Sequence, residues 1–260
     1  MQYYMKHLTL TVIPLILLLS ACIGTEQDPT KTWSPQRFYI EAKEALDERD
    51  YETAIKHYET LEARFPYGRY AQQAQLEVAY AYYKDNEPAL AIAAAERFIR
   101  LHPTHANVAY AYYLKGLINF HDTVNPIATF LGADADVSDR DPKAARESYN
   151  TFKDLVERFP DSRYAKDAWA RMGYLFEALA RYEIKVAEFY LKRNAFVAAL
   201  MRSKEVLKKY QQTPSVEDAL GIQVIAYRKM GMTQLMNDAI RVLTINFPQS
   251  RYLSQTEQNS

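Results

Sequence analysis

The 260-residue sequence balances 32 Lys and Arg against 32 Asp and Glu. With no basic run longer than pairs such as Lys208-Lys209 or Arg228-Lys229, it lacks the dense positive footprint that a phosphate backbone demands, which disfavours a nucleic-acid partner. Seven glycines among abundant Ala, Leu, Glu, Lys and Arg predict mostly helix, and 21 tyrosines exceed what composition alone suggests.

At the N-terminus, Lys6 and His7 precede an uncharged, apolar-rich run from Leu8 to Leu19. Such a run is too short to cross a bilayer as a helix and reads as an export signal over residues 1–21 that is removed. Its exit, Leu19-Ser20-Ala21-Cys22, resembles the lipobox of bacterial lipoproteins, in which the cysteine is acylated and becomes the mature N-terminus. Cys22 is the single cysteine, so lipidation leaves no thiol to mispair in an oxidising compartment. Several acyl chains on one residue give a stable anchor where a single chain holds only marginally. Ile23, rather than an inner-membrane-retaining Asp, follows the cysteine. By the same resemblance this implies the Gram-negative outer membrane, facing the periplasm. Residues 22–33 are then the lipidated N-terminus and linker.

Beyond the linker an internal repeat organises the chain. Phe65-Pro66-Tyr67-Gly68-Arg69-Tyr70 recurs as Phe159-Pro160-Asp161-Ser162-Arg163-Tyr164 and as Phe247-Pro248-Gln249-Ser250-Arg251-Tyr252, with His102-Pro103 a looser copy. Counting back from each proline yields the tetratricopeptide (TPR) pattern of a small residue, a bulky residue and a terminating Pro in a second helix. Ala54, Tyr58 and Pro66 fit it fully. Ala91, Ala95, Phe98 and Pro103 form the second copy, and Ser148, Phe152, Leu155 and Pro160 the third. Ala199 and Val206, with a late Pro214, form the fourth, and Met236, Ile240, Leu243 and Pro248 the fifth. Small residues let paired helices approach, and proline ends each second helix because it cannot donate the backbone hydrogen bond. Turns at Asp50-Tyr51, Asn86-Glu87, Asn194-Ala195 and Gly231-Met232 divide the pairs, Asn and Gly suiting a left-handed helix end.

The expected fold is an all-α, right-handed TPR-like helical solenoid of about five helix pairs. Residues 34–120 form the N-terminal repeats, 121–141 an insertion loop, 142–253 the C-terminal repeats and 254–260 a polar, disordered tail. Residues 164–193 read as one unusually long helix, because only Gly173 interrupts an apolar stripe through Trp169, Met172, Phe176, Leu179, Val186 and Tyr190.

Together with the lipobox and the five pairs, two segments identify a family. These are Ser138-Asp139-Arg140-Asp141-Pro142, and Tyr182-Glu183 followed by Val186-Ala187-Glu188-Phe189-Tyr190-Leu191-Lys192-Arg193. Over nearly its whole length the chain resembles the BamD (ComL/YfiO) family. The resemblance implies a lipoprotein scaffold of the machinery that folds and inserts β-barrel proteins into the outer membrane. It implies that the N-terminal repeats bind unfolded outer-membrane proteins and that the C-terminal repeats dock a BamA-type β-barrel protein. BamC- and BamE-type lipoproteins are further implied partners. A scaffold organising peptidoglycan or cell-envelope enzymes has the same architecture and stays open at this point.

Chemistry-bearing motifs are missing from the sequence: no Gly-x-Ser-x-Gly, Gly-rich phosphate loop or His-Glu-x-x-His occurs, so no catalytic residue, cofactor or metal site is expected. His102 and His105 flank a proline in an inter-repeat loop, a poor frame for a metal. The candidate substrate-peptide set is Tyr39, Leu76, Tyr80, Tyr83, Tyr110, Tyr113, Leu117 and Phe120, taken from the first helix of each N-terminal pair at three-and-four spacing. A phenol offers apolar area with few rotamers to freeze and keeps a hydroxyl, which suits an extended aromatic-rich peptide. Tyr82 and Tyr112 fall toward the packed side. Arg202, Glu205, Lys209 and Arg228 are the candidate partner-docking strip, the first three sharing a helical face.

Overall fold

The computed structural model describes residues 28–123 and 142–257. Cys22, the signal, most of the insertion, residues 138–141 of the family segment and residues 258–260 lie outside them. Among the described residues ten helices form five antiparallel hairpins: α1 Pro35–Asp47 with α2 Tyr51–Arg64, α3 Arg69–Lys84 with α4 Pro88–Leu101, α5 Val108–Thr123 with α6 Pro142–Arg158, α7 Ala165–Lys192 with α8 Phe196–Lys209, and α9 Ser215–Lys229 with α10 Thr233–Asn246. A short α11, Arg251–Glu257, follows. Each of the first ten helices packs on the next, and α1 on α3, α3 on α5 and α7 on α9 also touch, which is the neighbour-on-neighbour stacking of an all-α TPR-like solenoid. Among the described residues no helix is long and apolar enough to cross a membrane. The expected long helix is α7, with 28 residues.

Local chemistry sets the boundaries. Ser34 caps α1 by accepting from the Arg37 N–H at 3.2 Å, with Pro35 at the first helical position. Asp50 caps α2 through the Thr53 N–H at 3.1 Å. Four hairpin turns repeat one geometry: Arg49, Asn86, Asn194 and Gly231 all take positive φ between 61° and 69°. The next residue then donates back to the helix, as in Glu87 N to Tyr82 O and Ala195 N to Tyr190 O, both 2.9 Å. Asn and Gly fill three of these sites as the sequence suggests. In the first, the left-handed residue is Arg49, while Asp50 serves as the cap.

The small slots Ala54, Ala91, Ser148 and Ala199 are fully buried. Ser148 fits because its hydroxyl donates to the Gly116 carbonyl at 2.9 Å. At the same crossing, a Cβ on Gly116 would sit 2.5 Å from the fully buried Phe152 ring, so α5 and α6 can close only on a glycine. In the fifth pair Met236 is only half-buried, and Ala239 and Leu243 bury instead. The core runs through Phe38, Tyr58, Phe98, Phe152 and Leu175, each contributing roughly 2–3 kcal/mol by burial. Helix α5 is a shared wall, with Leu114 and Ile118 in the N-terminal core and Tyr112, Leu117 and Phe120 packed against the next one.

The recurring Arg-Tyr pair becomes a recurring contact. Arg69, Arg163 and Arg251 lie over the rings of Tyr70, Tyr164 and Tyr252 at 4.8, 4.8 and 4.9 Å. Both ends of the described chain also depart from the expected extents. From Asp28 onward the expected linker is docked: Arg64 donates to the Thr30 carbonyl at 2.8 Å and pairs with Asp28, and Arg37 lies over Trp33 at 4.6 Å. Hydrogen bonds from Thr30 and then Arg64 hold the Asp28 carboxyl down at about 2. Helix α5 runs on to Thr123, and α11 keeps the expected tail helical as far as Glu257.

Candidate functional site

Two surfaces gather the polar and aromatic side chains that the repeats leave uncommitted. The first follows the leading helix of each N-terminal pair. Tyr39 on α1, Tyr80 and Tyr83 on α3, and Tyr110 and Tyr113 on α5 are all half-buried. The Tyr39 ring lies 5.8 Å from Tyr70, Tyr80 lies 6.4 Å from Tyr83, and Tyr110 lies 5.6 Å from Tyr164. Tyr113 stacks on Tyr164 at 4.8 Å and donates to Asp167 Oδ2 at 2.7 Å. Asp167 also accepts from Arg171 Nε at 2.6 Å. Phe120 extends the line, 5.8 Å from Tyr174 with the Arg171 guanidinium 4.7 Å over its ring.

Structure thus brings most of the expected set together and continues it through Tyr164, the N-cap residue of α7, to Asp167, Arg171 and Tyr174 on that helix, none of which the spacing rule included. Leu76 is a correction. It is buried with Phe98 and Ala111 against α4 and α5, because the exposed face of α3 passes through its neighbour Glu77. Leu117 is half-buried and packs inward toward the next core. Tyr82 bonds the Glu59 carboxylate on α2 and Tyr112 lies 5.7 Å from Phe159, so both face away from this line as the spacing predicts.

Charge on this face is sparse. Burial pushes the hydroxyls of Tyr39, Tyr83, Tyr110 and Tyr113 above their ordinary range, with Glu77 adding to the effect at Tyr39 and Tyr110, and Asp167 at Tyr113. The phenols are therefore neutral at physiological pH, serving as apolar area with hydrogen-bonding tips rather than as nucleophiles. Burial would raise the Asp167 carboxyl, but the bonds from Arg171 and Tyr113 outweigh it and hold it below the usual range.

The second surface is a cavity of about 570 Å³ on the C-terminal repeats, lined by Arg146, Glu183, Tyr190, Met201, Arg202, Glu205 and Lys209 among others. At its base Glu183, with a side chain only 4% exposed, accepts from Arg202 Nη1 at 3.0 Å and Arg146 Nη2 at 3.4 Å. This hydrogen bond raises the Arg202 guanidinium above its ordinary range. Lys209 pairs with Glu205 and draws its carboxyl below the usual value. Arg202, Glu205 and Lys209 thus converge, as their spacing predicts, whereas Arg228 on α9 does not line the cavity. Three cations against two carboxylates leave the pocket with a slight positive excess. Among its lining residues Met201 is 70% exposed. Arg146 and Tyr190 were not part of the expected docking strip, because they come from α6 and α7 and the strip was drawn from spacing along α8.

Elsewhere His102 lies 2.6 Å from Gln75 Oε1, and the His105 ring accepts from the Asn107 N–H at 3.1 Å. Among the described residues no group of three or more His, Cys, Asp or Glu is placed to hold a metal ion.

Comparison with known proteins places the chain in a family. Residues 31–243 match the YfiO family, described as outer membrane lipoprotein. The chain is 48% identical to the outer membrane protein assembly factor BamD of Neisseria meningitidis serogroup A, over 98% of this chain and 96% of that one. It is 36% identical to the assembly factor of the same name from Vibrio cholerae, over 93% and 99% of the two chains. Among solved structures it is similar to the TPR domain of P58(IPK), at 14% identity and a TM-score of 0.42 over 85% of this chain and 63% of that one. The chain belongs to the YfiO family of outer membrane lipoproteins, the family of the outer membrane protein assembly factor BamD.

Proposed function

We propose that this chain is a non-enzymatic periplasmic scaffold, held at the outer membrane by lipid on Cys22, that binds unfolded outer-membrane proteins and passes them to a BamA-type β-barrel partner. The observation that carries the reading is the series of aromatic groups on the leading helices, Tyr39 with Tyr70, Tyr80 with Tyr83, Tyr110 and Tyr113 with Tyr164, and Phe120 with Tyr174. Neutral phenols at intervals of a helical turn match the alternate side chains of an extended strand, taking aromatic groups while the hydroxyls meet its backbone. The cavity around Arg202, with its slight positive excess and exposed Met201 rim, suits an acidic partner surface. It lies where the family resemblance puts BamA docking, so Arg202, Glu205 and Lys209 are assigned to that contact. Arg228 would touch the partner outside the cavity, and BamC- and BamE-type lipoproteins would use surfaces beyond both.

The test is a comparison of two sets of tyrosines. Replacing Tyr80, Tyr83 and Tyr113 together by Ser should abolish photo-crosslinking to a peptide copied from the C-terminal strand of an outer-membrane barrel while the melting temperature moves little. Tyr82→Ser should chiefly lower the melting temperature, since that ring is packed on α2. Unchanged crosslinking in the triple variant would remove the face from consideration.

A further inference from the structure

The Arg-Tyr unit that closes each Phe-Pro-x-x-Arg-Tyr stretch has one internal geometry in all three copies but different surroundings. In every copy the guanidinium lies over the tyrosine ring and its Nη2 donates to the tyrosine hydroxyl, at 3.1 Å in Arg69-Tyr70, 2.5 Å in Arg163-Tyr164 and 2.9 Å in Arg251-Tyr252. The last copy is occupied. Asp218, from the leading helix α9, accepts through one oxygen, Oδ1, from Arg251 Nη2 and from the Tyr252 hydroxyl, both at 2.8 Å. A carboxylate therefore fits this unit by drawing on the arginine charge and the tyrosine O–H together.

The middle copy offers the same donors and holds no carboxylate. Where α9 brings Asp218 to Tyr252, α5 brings the rings of Tyr110 and Tyr113 to Tyr164. Among the described residues Arg163 makes no ion pair, and the Tyr164 hydroxyl, which accepts from Arg163, finds no acceptor for its own proton. Beside the unit opens a cavity of about 680 Å³ whose lining includes Arg158, Asp161, Arg163 and Tyr164. Arg158 lies 5.8 Å from the Tyr112 ring and, among the described residues, is also without an ion pair, so two exposed guanidiniums stand against one carboxylate there. Neither acidic neighbour fills the place. Asp161 forms no ion pair among the described residues, and Asp167 is engaged by Tyr113 and Arg171.

We propose that Arg163 and Tyr164 form a carboxylate seat, holding a peptide on the tyrosine face by its C-terminal carboxylate or by an acidic side chain, as Arg251 and Tyr252 hold Asp218. One oxygen accepts from the guanidinium and from the phenol, and Arg158 adds a second positive charge in the same cavity. The seat joins the aromatic face directly, because Tyr164 stacks on Tyr113 at 4.8 Å. The proposal rests on the reading of that face as a peptide site and adds to it a charged anchor beside the aromatic groups.

Four ten-residue peptides with alternating phenylalanines test it by fluorescence anisotropy against the full chain: a free acid and its C-terminal amide, and an amide with one internal glutamate and its glutamine twin. The wild type should bind the acidic member of at least one pair about five- to tenfold more tightly than its neutral twin, the scale of a charge-assisted contact at a partly exposed site. The pair that shows the preference identifies the carboxylate as terminal or side-chain. Arg163→Gln should bring the ratio to near one with neutral-peptide binding unchanged, whereas Arg251→Gln, whose unit is already filled by Asp218, should keep it. If the wild type binds both members of each pair equally, if Arg163→Gln keeps the preference, or if Arg251→Gln loses it equally, the seat is wrong while the peptide face stands. If the wild type binds none of the four, both fall together.

Discussion

Each half of the molecule buries a carboxylate, and the two are treated in opposite ways. Glu183 on α7 is clasped by Arg146 from α6 and Arg202 from α8, so that three consecutive helices are pinned through one side chain. Glu77 on α3 has aromatic neighbours and a lysine engaged elsewhere. In the C-terminal half the charge network is closed on itself and acts as structure, its outer members Lys209 and Glu205 forming the accessible edge. In the N-terminal half Glu77 has no such clasp, on a face whose apolar area is already paid for by the repeat packing. The difference separates the proposed docking corner, tied by ion pairs, from the proposed peptide track, with α5 as the wall between them.

The sharpest way to break this division is at that wall. A Cβ at Gly116 would lie 2.5 Å from a Phe152 ring that is fully buried and cannot swing away. Gly116→Val should therefore destabilise the chain by about 3 kcal/mol, the upper range for overpacking. Because repeats couple through nearest neighbours, it should also split one urea transition into two, with the halves unfolding separately. A single unshifted transition would mean that the halves form one unit and that the contrast is only one of surface.

The two carboxylates supply the next test. Glu183→Ala should cost about 1–3 kcal/mol, since it leaves two arginines facing each other over a lost hydrogen-bond acceptor, with partial exposure of both guanidiniums moderating the loss. Glu77→Gln should go the other way. Burial raises the Glu77 carboxyl, so its folded-state value lies above the unfolded one. The sign follows: protonation favours the folded state, stability from this group is complete below the unfolded value, and it is lost as pH rises through the folded one. At neutral pH the amide removes that loss, so the variant should have a higher urea midpoint than the parent. The gap should close when urea midpoints are measured below the carboxylate range. Equal midpoints at pH 7 would show that Lys43 compensates Glu77 fully, and the contrast with Glu183 would vanish.

Much of this arrangement was legible in the sequence because repetition multiplies weak signals. Three copies of the Phe-Pro-x-x-Arg-Tyr stretch placed the hairpins, and Asn86, Asn194 and Gly231 marked turns by a conformational need that few residues meet. The spacing of the tyrosines on the leading helices was legible, but Leu76 and Leu117, expected beside them, pack inward. Leu76 and Glu77 are adjacent, about 100° apart on α3, and a rule that rewards apolar residues at three-and-four spacing picks the leucine although it belongs to the core. The clasp on Glu183 left no local trace. Its partners stand 37 positions before and 19 after it, on different helices, and only the stacking of repeats brings them together. For the same reason the α7 continuation of the face was invisible, although the Asp167 and Arg171 pair at i, i+4 was a signal that could have drawn the eye.

The smallest effect concerns the four hairpin turns, which share one backbone shape but not one residue type. At Asn86, Asn194 and Gly231 the left-handed conformation falls on residues that tolerate it, whereas in the first pair it falls on exposed Arg49, at φ 67°. An ordinary L-residue there bears about 1–2 kcal/mol of steric cost. Glycine would relieve it but lose roughly 0.4–1 kcal/mol through the greater freedom of its unfolded chain. The net expectation for Arg49→Gly is a gain of about 0.5–1 kcal/mol, with Arg49→Asn giving a smaller gain of the same sign. Both should appear as a higher urea midpoint at unchanged slope, because no surface burial changes. Asn86→Ala and Asn194→Ala should shift the midpoint downward, their turns being already optimal. Should Arg49→Gly lower the midpoint instead, the arginine side chain must make a contact worth more than its backbone strain. The cleft it borders with Lys43, Asp47 and Tyr80 would then be a tied-down part of the peptide face rather than its open edge.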